Sequence, residues 1–372
     1  MLSNELSAMQ AQATAPAISL IVPLDDASGR SRQTASSQVK KAIKKVAKTL
    51  EDIYPEQSVQ LLPLLEEQLL QFDKHYHPGA QGAGIYVSSD YYHQCLFPFP
   101  VEEKAHIAGA FSIRELLYLE HYATGYLLLH INEQTVQCYN GKLNELEEIT
   151  NQHFPLHFRD DYEYSKPAQL TSHGGYEGTK SFEKDKSTLK AIRTRNFYRE
   201  ADHKLNAVLN GQSIIIAGPE KDIALFREVT GHTQRIIGEI PGNYSHLPLK
   251  KLEEKCWDTI RAWTDKQEAT SLSQLLGKTW PENIIEGTKK VWQAVQAGRG
   301  LKLLVEKDYA CPGFIGDKAG KFYIRAPKTG HRTIADAVDD IIQAVLRKKG
   351  EVIFANNGAL SEHQHIALIT RY

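Results

Sequence analysis

The chain has 372 residues, with 44 Lys and Arg against 45 Asp and Glu, and this balance argues against an indiscriminate nucleic-acid binder. A hydrophobic content of 41% supplies ordinary globular cores, excludes wholesale disorder, and over this length suits two or three domains. Cys95, Cys138, Cys256 and Cys311 are scattered without CxxC spacing; with no apolar run of membrane-spanning length and no signal-peptide pattern, the expectation is a soluble cytoplasmic protein without disulfides or structural zinc.

The first segment, 1–122, opens with a polar tail expected to be mobile. Ile18-Ser19-Leu20-Ile21-Val22 then predicts a buried strand ending at Pro23. Val39, Ile43, Val46 and Leu50 mark one face of a helix whose other positions include Lys40, Lys41, Lys44, Lys45 and Lys48. A second helical pattern runs from Leu61 to Phe72, with Pro63 acceptable only in its first turn. Gly84-Ile85-Tyr86-Val87, the turn Ser88-Ser89-Asp90 and Tyr91 to Phe97 predict a hairpin.

The middle segment, 123–265, starts with the strand pair Tyr126-Leu127-Leu128-Leu129 and Val136-Gln137-Cys138-Tyr139-Asn140-Gly141. An irregular stretch leads to Ser172-His173-Gly174-Gly175-Tyr176-Glu177-Gly178-Thr179-Lys180, a glycine loop opening a helix predicted to last until about Leu209. Gly174, Gly175 and Gly178 lack Cβ, so the loop can press its backbone close to a partner. Lys180, Lys184, Lys186, Lys190, Arg193, Arg195 and Arg199 bias the helix towards positive charge, as suits a loop that reaches into something anionic. Ser213-Ile214-Ile215-Ile216-Ala217 predicts a strand, Ile223 to Val229 a helix, Arg235 to Gly238 a short strand, and Leu252, Cys256, Ile260 and Trp263 one face of another helix.

Polar residues from Asp265 to Ser273 read as a linker to the last segment, 266–372. There the pattern predicts helix Ile284 to Ala297, strand Leu301 to Val305, helix Ile334 to Arg347 and strand Glu351 to Phe354, before the apolar ending Ile366-Ala367-Leu368-Ile369. Gly298-Arg299-Gly300 ends a helix instead of opening one, so it predicts a helix stop and not an anion cradle.

This order of glycine loop, long helix, strand and Ala217-Gly218 turn resembles the central domain of archaeal and eukaryotic class I peptide-chain release factors and of Pelota. Within that group it is most similar to the bacterial archaeo-eukaryotic release factor families, the third of them in particular. Gly109 to Tyr139, Ala294 to Val305 and Gly350 to Phe354 extend the resemblance over most of the chain. It implies three mixed α/β domains, 1–122, 123–265 and 266–372, the central one ribonuclease H-like and the last like kink-turn-binding proteins. It further implies a factor of the ribosomal A site that meets rRNA, with tRNA and a translational GTPase as further partners and no DNA, membrane or cofactor.

One departure matters. Hydrolysing release factors carry Gly-Gly-Gln at the loop tip, where this chain reads Gly174-Gly175-Tyr176. A phenol cannot supply the paired donor and acceptor of an amide. The expectation is therefore ribosome rescue or hibernation without peptidyl-tRNA hydrolysis. His173, Gly174, Gly175, Tyr176 and Gly178 form the functional loop, and Lys180, Lys184, Lys186, Lys190, Arg193, Lys40, Lys41, Lys44 and Lys45 are the RNA-binding candidates. Hydrolysis of peptidyl-tRNA or another ester by some other group, and a repurposed protein- or ligand-binding scaffold, remain the alternatives. The stop-codon-reading motifs of true release factors are absent from 1–122.

Other chemistries find little footing in the sequence. His75 and His77, and His363 and His365, form close pairs without a cysteine or carboxylate set at ligand spacing, so no metal site is expected. Neither a G-x-S-x-G elbow nor a phosphate-binding glycine signature occurs.

Overall fold

The computed structural model describes residues 6, 9, 14–24, 31–77, 79–159, 178–316, 320–328 and 330–371, and the side chains of all these except 178–189. The fold is mixed α/β throughout. It divides into two compact units, one made of residues 1–121 and 264–372, the other of residues 122–263.

In the first unit, β1 (Ala17–Pro23), β2 (Gly82–Val87), β3 (Tyr92–Phe97) and β4 (Lys104–Ala108) form an antiparallel sheet in the order β3-β2-β1-β4. β1 is apolar on both faces because both are covered. Ile18, Leu20 and Val22 pack with Ala83, Ile85 and Val87 under the helices α1 (Arg32–Ile53) and α2 (Pro55–His75). Ala17, Ile21 and Tyr86 face the other way, towards Phe97, Phe111 and Ile113. The opening segment is no simple tail, since Leu6 and Met9 are buried in this second core.

α1 starts at Ser31, whose Oγ accepts from the Thr34 N–H at 3.2 Å, and buries Val39, Ile43, Val46 and Leu50 as the periodicity predicts. α2 begins at Pro55, six residues earlier than expected, so Pro63 sits inside it. The helix tolerates this because Pro63 is exposed, and Val59, whose carbonyl loses its partner, is 77% exposed, so water can serve that carbonyl. A short helix, α3 (Arg114–Tyr122), escaped the sequence reading, as did β4.

The second unit is built on β5 (Tyr126–Ile131), β6 (Thr135–Lys142), β7 (Glu145–Glu148), β8 (Leu156–His157), β9 (Ser213–Gly218) and β10 (Ile236–Pro241). The order is β10-β9-β5-β6-β7, with β8 on β6; β5, β9 and β10 are parallel and β6 and β7 antiparallel. Parallel strands buried on both faces read as continuous apolar runs, which is why Leu127-Leu128-Leu129 and Ile214-Ile215-Ile216 were legible as strands. One face takes α4 (Gly178–Leu205) and α5 (Glu220–Val229) through Phe197, Tyr198, Ala201, Leu205, Ile223 and Phe226. The helix expected to reach Leu209 ends at Leu205. α6 (Leu249–Lys278) lies close to β10 at Gly238, where a Cβ would come 2.2 Å from Thr259 Cγ2.

The stretch from Asp265 to Ser273, expected as a linker, is instead the interior of α6. Its Lys, Gln, Glu and Ala residues are strong helix formers, and Leu272 is buried against the C-terminal sheet. That sheet joins β11 (Ile284–Glu286), β12 (Gly300–Glu306), β16 (Glu351–Ala355) and β17 (Ile366–Thr370) in the order β11-β17-β12-β16. Leu272, Leu304, Ala367 and Ile369 pack on one face. Leu303, Val305, Ile366 and Leu368 pack on the other, against α7 (Thr288–Gln296) and α8 (Ala337–Arg347).

Two element boundaries differ from expectation here. Ile284 to Glu286 is a strand, because Gly287 at φ 79° breaks the run before α7. The helix expected from Ile334 starts at Ala337, after the Asp336 cap. Gly298, at φ 77°, stops α7 as predicted. Between β12 and α8 a small ribbon was missed: β13 (Gly313–Gly316), β14 (Phe322–Tyr323) and β15 (His331–Ile334), in the order β14-β13-β15.

Within the first unit, the N- and C-terminal stretches interlock through buried charge. Arg114 contacts Asp336 at 2.6 Å and Asp339 at 2.9 Å and donates to the Tyr309 carbonyl at 2.9 Å. Ser112 Oγ donates to Asp339 at 2.8 Å, and Lys104 reaches both Glu115 and Asp339. Gln343 donates to the Phe111 carbonyl, and the rings of Tyr118 and Phe354 meet at 4.2 Å.

Candidate functional site

The loop residues His173, Gly174, Gly175 and Tyr176 lie outside the described residues. Gly178 is the first residue of α4, and Lys180, Lys184 and Lys186 follow it within the helical backbone. The base of this helix is fixed by its aromatic pair. Phe197 is edge-on to Phe158 at 5.5 Å and Tyr198 is edge-on to Phe226 at 6.1 Å, both fully buried. Asp202 ties the same end to the loop after α5, accepting from Thr230 Oγ1 at 2.5 Å and the Gly231 N–H at 3.0 Å.

The polar groups around this base have chosen partners. Lys190 is exposed, and its Nζ lies 2.7 Å from Glu133, which Lys221 approaches at 3.5 Å. The bond from Lys190 holds the Glu133 carboxyl below the usual range. Arg195 pairs with Glu228 at 2.9 Å. Arg193 is half-buried, and its Nε has no hydrogen-bond partner among the described residues. Deeper in, burial pushes the Asp222 carboxyl up, and burial together with Asp222 pushes the Tyr198 phenol well above its ordinary value.

The second basic stretch lies in the other unit. Lys40, Lys41, Lys44, Lys45 and Lys48 are all exposed on the side of α1 opposite its buried face. Lys45 pairs with Glu103 at 2.9 Å, while no carboxylate among the described residues comes within ion-pair distance of the other four. Glu133 and Glu103, the acids that answer these lysines, were not foreseen; each lies far from its lysine in sequence, and only pairing of strands and helices reveals it.

The buried cysteines are poor nucleophiles. All four cysteines are free thiols, and burial pushes Cys138 and Cys256 up to about 12, far from a reactive thiolate. His363 and His365 bond separate carboxylates, Glu286 at 2.7 Å and Glu306 at 2.8 Å. No group of three metal-ligating side chains occurs among the described residues, and none of the described helices is long and apolar enough to cross a membrane. An open depression lined by Leu127, Asn140, Glu147, Glu148, Asn210 and Gln212 carries no nucleophile and base in contact.

Residues 125–299, a little under half of the chain, match the family described as bacterial archaeo-eukaryotic release factor family 3. The chain is release-factor-like. Among solved structures it is similar to the archaeal translation termination factor aRF1, at 13% identity and a TM-score of 0.25, over 100% of this chain and 97% of that one. Archaeoglobus fulgidus Pelota is 15% identical with a TM-score of 0.41, covering 80% of this chain and 81% of its own. A Saccharomyces cerevisiae translation termination-like factor, described as interacting with Hbs1, is 12% identical with a TM-score of 0.36, covering 78% and 80%. No curated protein matches. These overlays are loose, and the release-factor relationship rests on the sequence match, which takes in the whole of α4 and of the sheet beneath it.

Proposed function

We propose that this release-factor-like chain is a translation-associated factor of the ribosomal A site, of the rescue or hibernation type, that does not hydrolyse peptidyl-tRNA. The observation that carries the reading is the tip sequence Gly174-Gly175-Tyr176 at the head of a basic helix whose other end is locked into the sheet by Phe197 and Tyr198. The glycines allow close approach to the peptidyl-transferase centre, and Tyr176 replaces the glutamine that would position water. Lys180, Lys184, Lys186, Lys190 and Arg193 would hold rRNA phosphates, with Lys40, Lys41, Lys44 and Lys45 as a second contact. In this reading the chain has three domains, 1–122, 123–265 and 266–372, works in the cytoplasm, and has rRNA, tRNA and a translational GTPase as partners.

The test is co-sedimentation with ribosomes, followed by incubation with peptidyl-tRNA on the ribosome. Salt-sensitive binding that weakens steeply when Lys184, Lys186, Lys190 and Arg193 are changed to Glu, without peptide release, is the expected result. Binding with peptide release that is lost on Gly174→Ala and Gly175→Ala would replace it with the hydrolase reading. One observation favours a non-ribosomal scaffold instead: Lys190 and Arg195 are already matched by Glu133 and Glu228, so the described part of α4 presents mixed charge. Migration only at the top of the gradient, in growing and starved cells alike, would select that scaffold.

A further inference from the structure

The ribbon β13–β15 has two faces of different character. On the inner face, Phe322 lies over Gly313, where a Cβ would come 2.3 Å from its ring, and meets Trp292 of α7 at 5.6 Å. Trp292 Nε1 donates to the Gly320 carbonyl at 3.0 Å, which pins the ribbon to that helix. Alternation along the strands sends Phe314, Tyr323 and Thr333, which are register partners, to the other face. There Tyr323 lies against Gly316, where a Cβ would sit 3.2 Å from its ring, and Phe314 meets His331 edge-on at 5.1 Å. Phe314 and Tyr323 are half-buried, and neither belongs to the apolar core of this unit.

Cations predominate in this ribbon and its turns. Residues 318 to 335 contain no Asp or Glu. Lys321, Arg325, Lys328 and Arg332 are exposed, and no carboxylate among the described residues lies within ion-pair distance of any of them. Arg332 is the register partner of Ile315 and so belongs to the inner face, where it acts on the half-buried Asp340 without contact. Paired aromatic rings on a ribbon that also carries exposed, unmatched cations have the chemistry of a single-stranded nucleic-acid platform: every base has a face to stack, and the backbone brings the opposite charge.

We propose that the outer face of this ribbon binds single-stranded RNA, with Phe314 and Tyr323 stacking on bases and Lys321, Arg325 and Lys328 holding phosphates. The choice of RNA over DNA rests on the ribosomal reading above; the platform itself rests on the ribbon alone.

The test is fluorescence anisotropy of a labelled twelve-nucleotide RNA with the full chain, without ribosomes. Arg325→Glu with Lys328→Glu should weaken binding by about tenfold or more and flatten its salt dependence. Phe314→Leu with Tyr323→Leu should also weaken it by about tenfold while leaving the salt dependence intact. Circular dichroism melts report whether each variant folds; the exposed Lys321→Glu and Arg325→Glu changes keep the test open should the aromatic pair unfold. Wild-type affinity in the charge variants, equal affinity for a duplex of the same sequence, or displacement of RNA by polyglutamate at equal charge would each overturn the proposal, the last in favour of an acidic protein. Loss of ribosome co-sedimentation in the α4 variants bears only on the proposed function. Oligonucleotide binding that survives there but fails in the ribbon variants keeps the two readings apart.

Discussion

Arg114 and Asp339 form an ion pair at 2.9 Å with only 6% of each side chain exposed. Burial alone would raise the Asp339 carboxyl, but the Arg114 and Lys104 charges and the Ser112 hydroxyl outweigh it and hold it below the usual range. Arg114→Met should therefore destabilise the protein by about 3–5 kcal/mol, because it strands two carboxylates. Arg114→Met combined with Asp336→Asn and Asp339→Leu should recover much of that loss. Urea denaturation of both variants checks this. The sign with pH follows from the depressed carboxyl: the contribution is present above its unfolded value, near 3.8, and is lost as pH falls through the folded one.

Glu268 runs the other way. Burial raises its carboxyl to about 7 despite Lys307 at 3.5 Å, and Asp265 adds to the rise. His121, 3.7 Å away, is itself lowered by burial and by Lys307. A raised carboxyl favours folding below its unfolded value and loses that contribution as pH climbs through the folded one. Glu268→Gln should thus melt close to wild type at pH 4.5 and higher than wild type at pH 8, since Lys307 keeps Asp265 at 2.8 Å and Asn356 at 2.9 Å. A difference that grows towards acid would refute this assignment.

Glu133 is shared by Lys190 and Lys221 at an exposed site. Glu133→Gln should change stability by less than about 1 kcal/mol, as surface pairs generally do. If α4 binds phosphates, the same change should tighten salt-sensitive ribosome binding by a few fold, measured by co-sedimentation at two ionic strengths. Unchanged or weaker binding would separate Lys190 from any RNA contact.

Pro63 sits on the exposed side of α2, in its third turn. Pro63→Ala restores a helical N–H and removes the ring's clash with the preceding turn, so it should stabilise the protein by about 1–3 kcal/mol. A melting temperature that does not rise would mean that neighbouring packing already requires the bend.

The sequence made local periodicity plain and long-range pairing invisible. Val39, Ile43, Val46 and Leu50 announce a buried helix face, and Ile214-Ile215-Ile216 a strand covered on both sides, because each pattern is complete within a dozen residues. Asp265 to Ser273 misled, since polarity alone does not separate a linker from a helix held by a few apolar positions such as Leu272. Pro63 misled for a similar reason: its cost depends on whether the freed carbonyl reaches water, and that is a matter of burial. The ribbon was missed because its strands are only two to four residues long, although the absence of acids from 318 to 335 was there to be seen. Of the candidate site, Lys190 and Lys45 were legible as exposed helix positions, but their acidic counterparts Glu133 and Glu103 were not.

Arg114 and Asp336 are 222 residues apart in the chain. During synthesis the segment carrying Arg114 emerges before its acid partner, and all the residues between the two must follow before Asp336 arrives. The first sheet can collapse early, but its charged edge stays wet until Asp336 has been made. Loop closure over such a span is slow, and an exposed half-interface invites capture by other nascent chains or by chaperones. Premature termination anywhere before Asp336 would release a fragment unable to seal itself, so synthesis past Asp336 is a condition of this unit's stability.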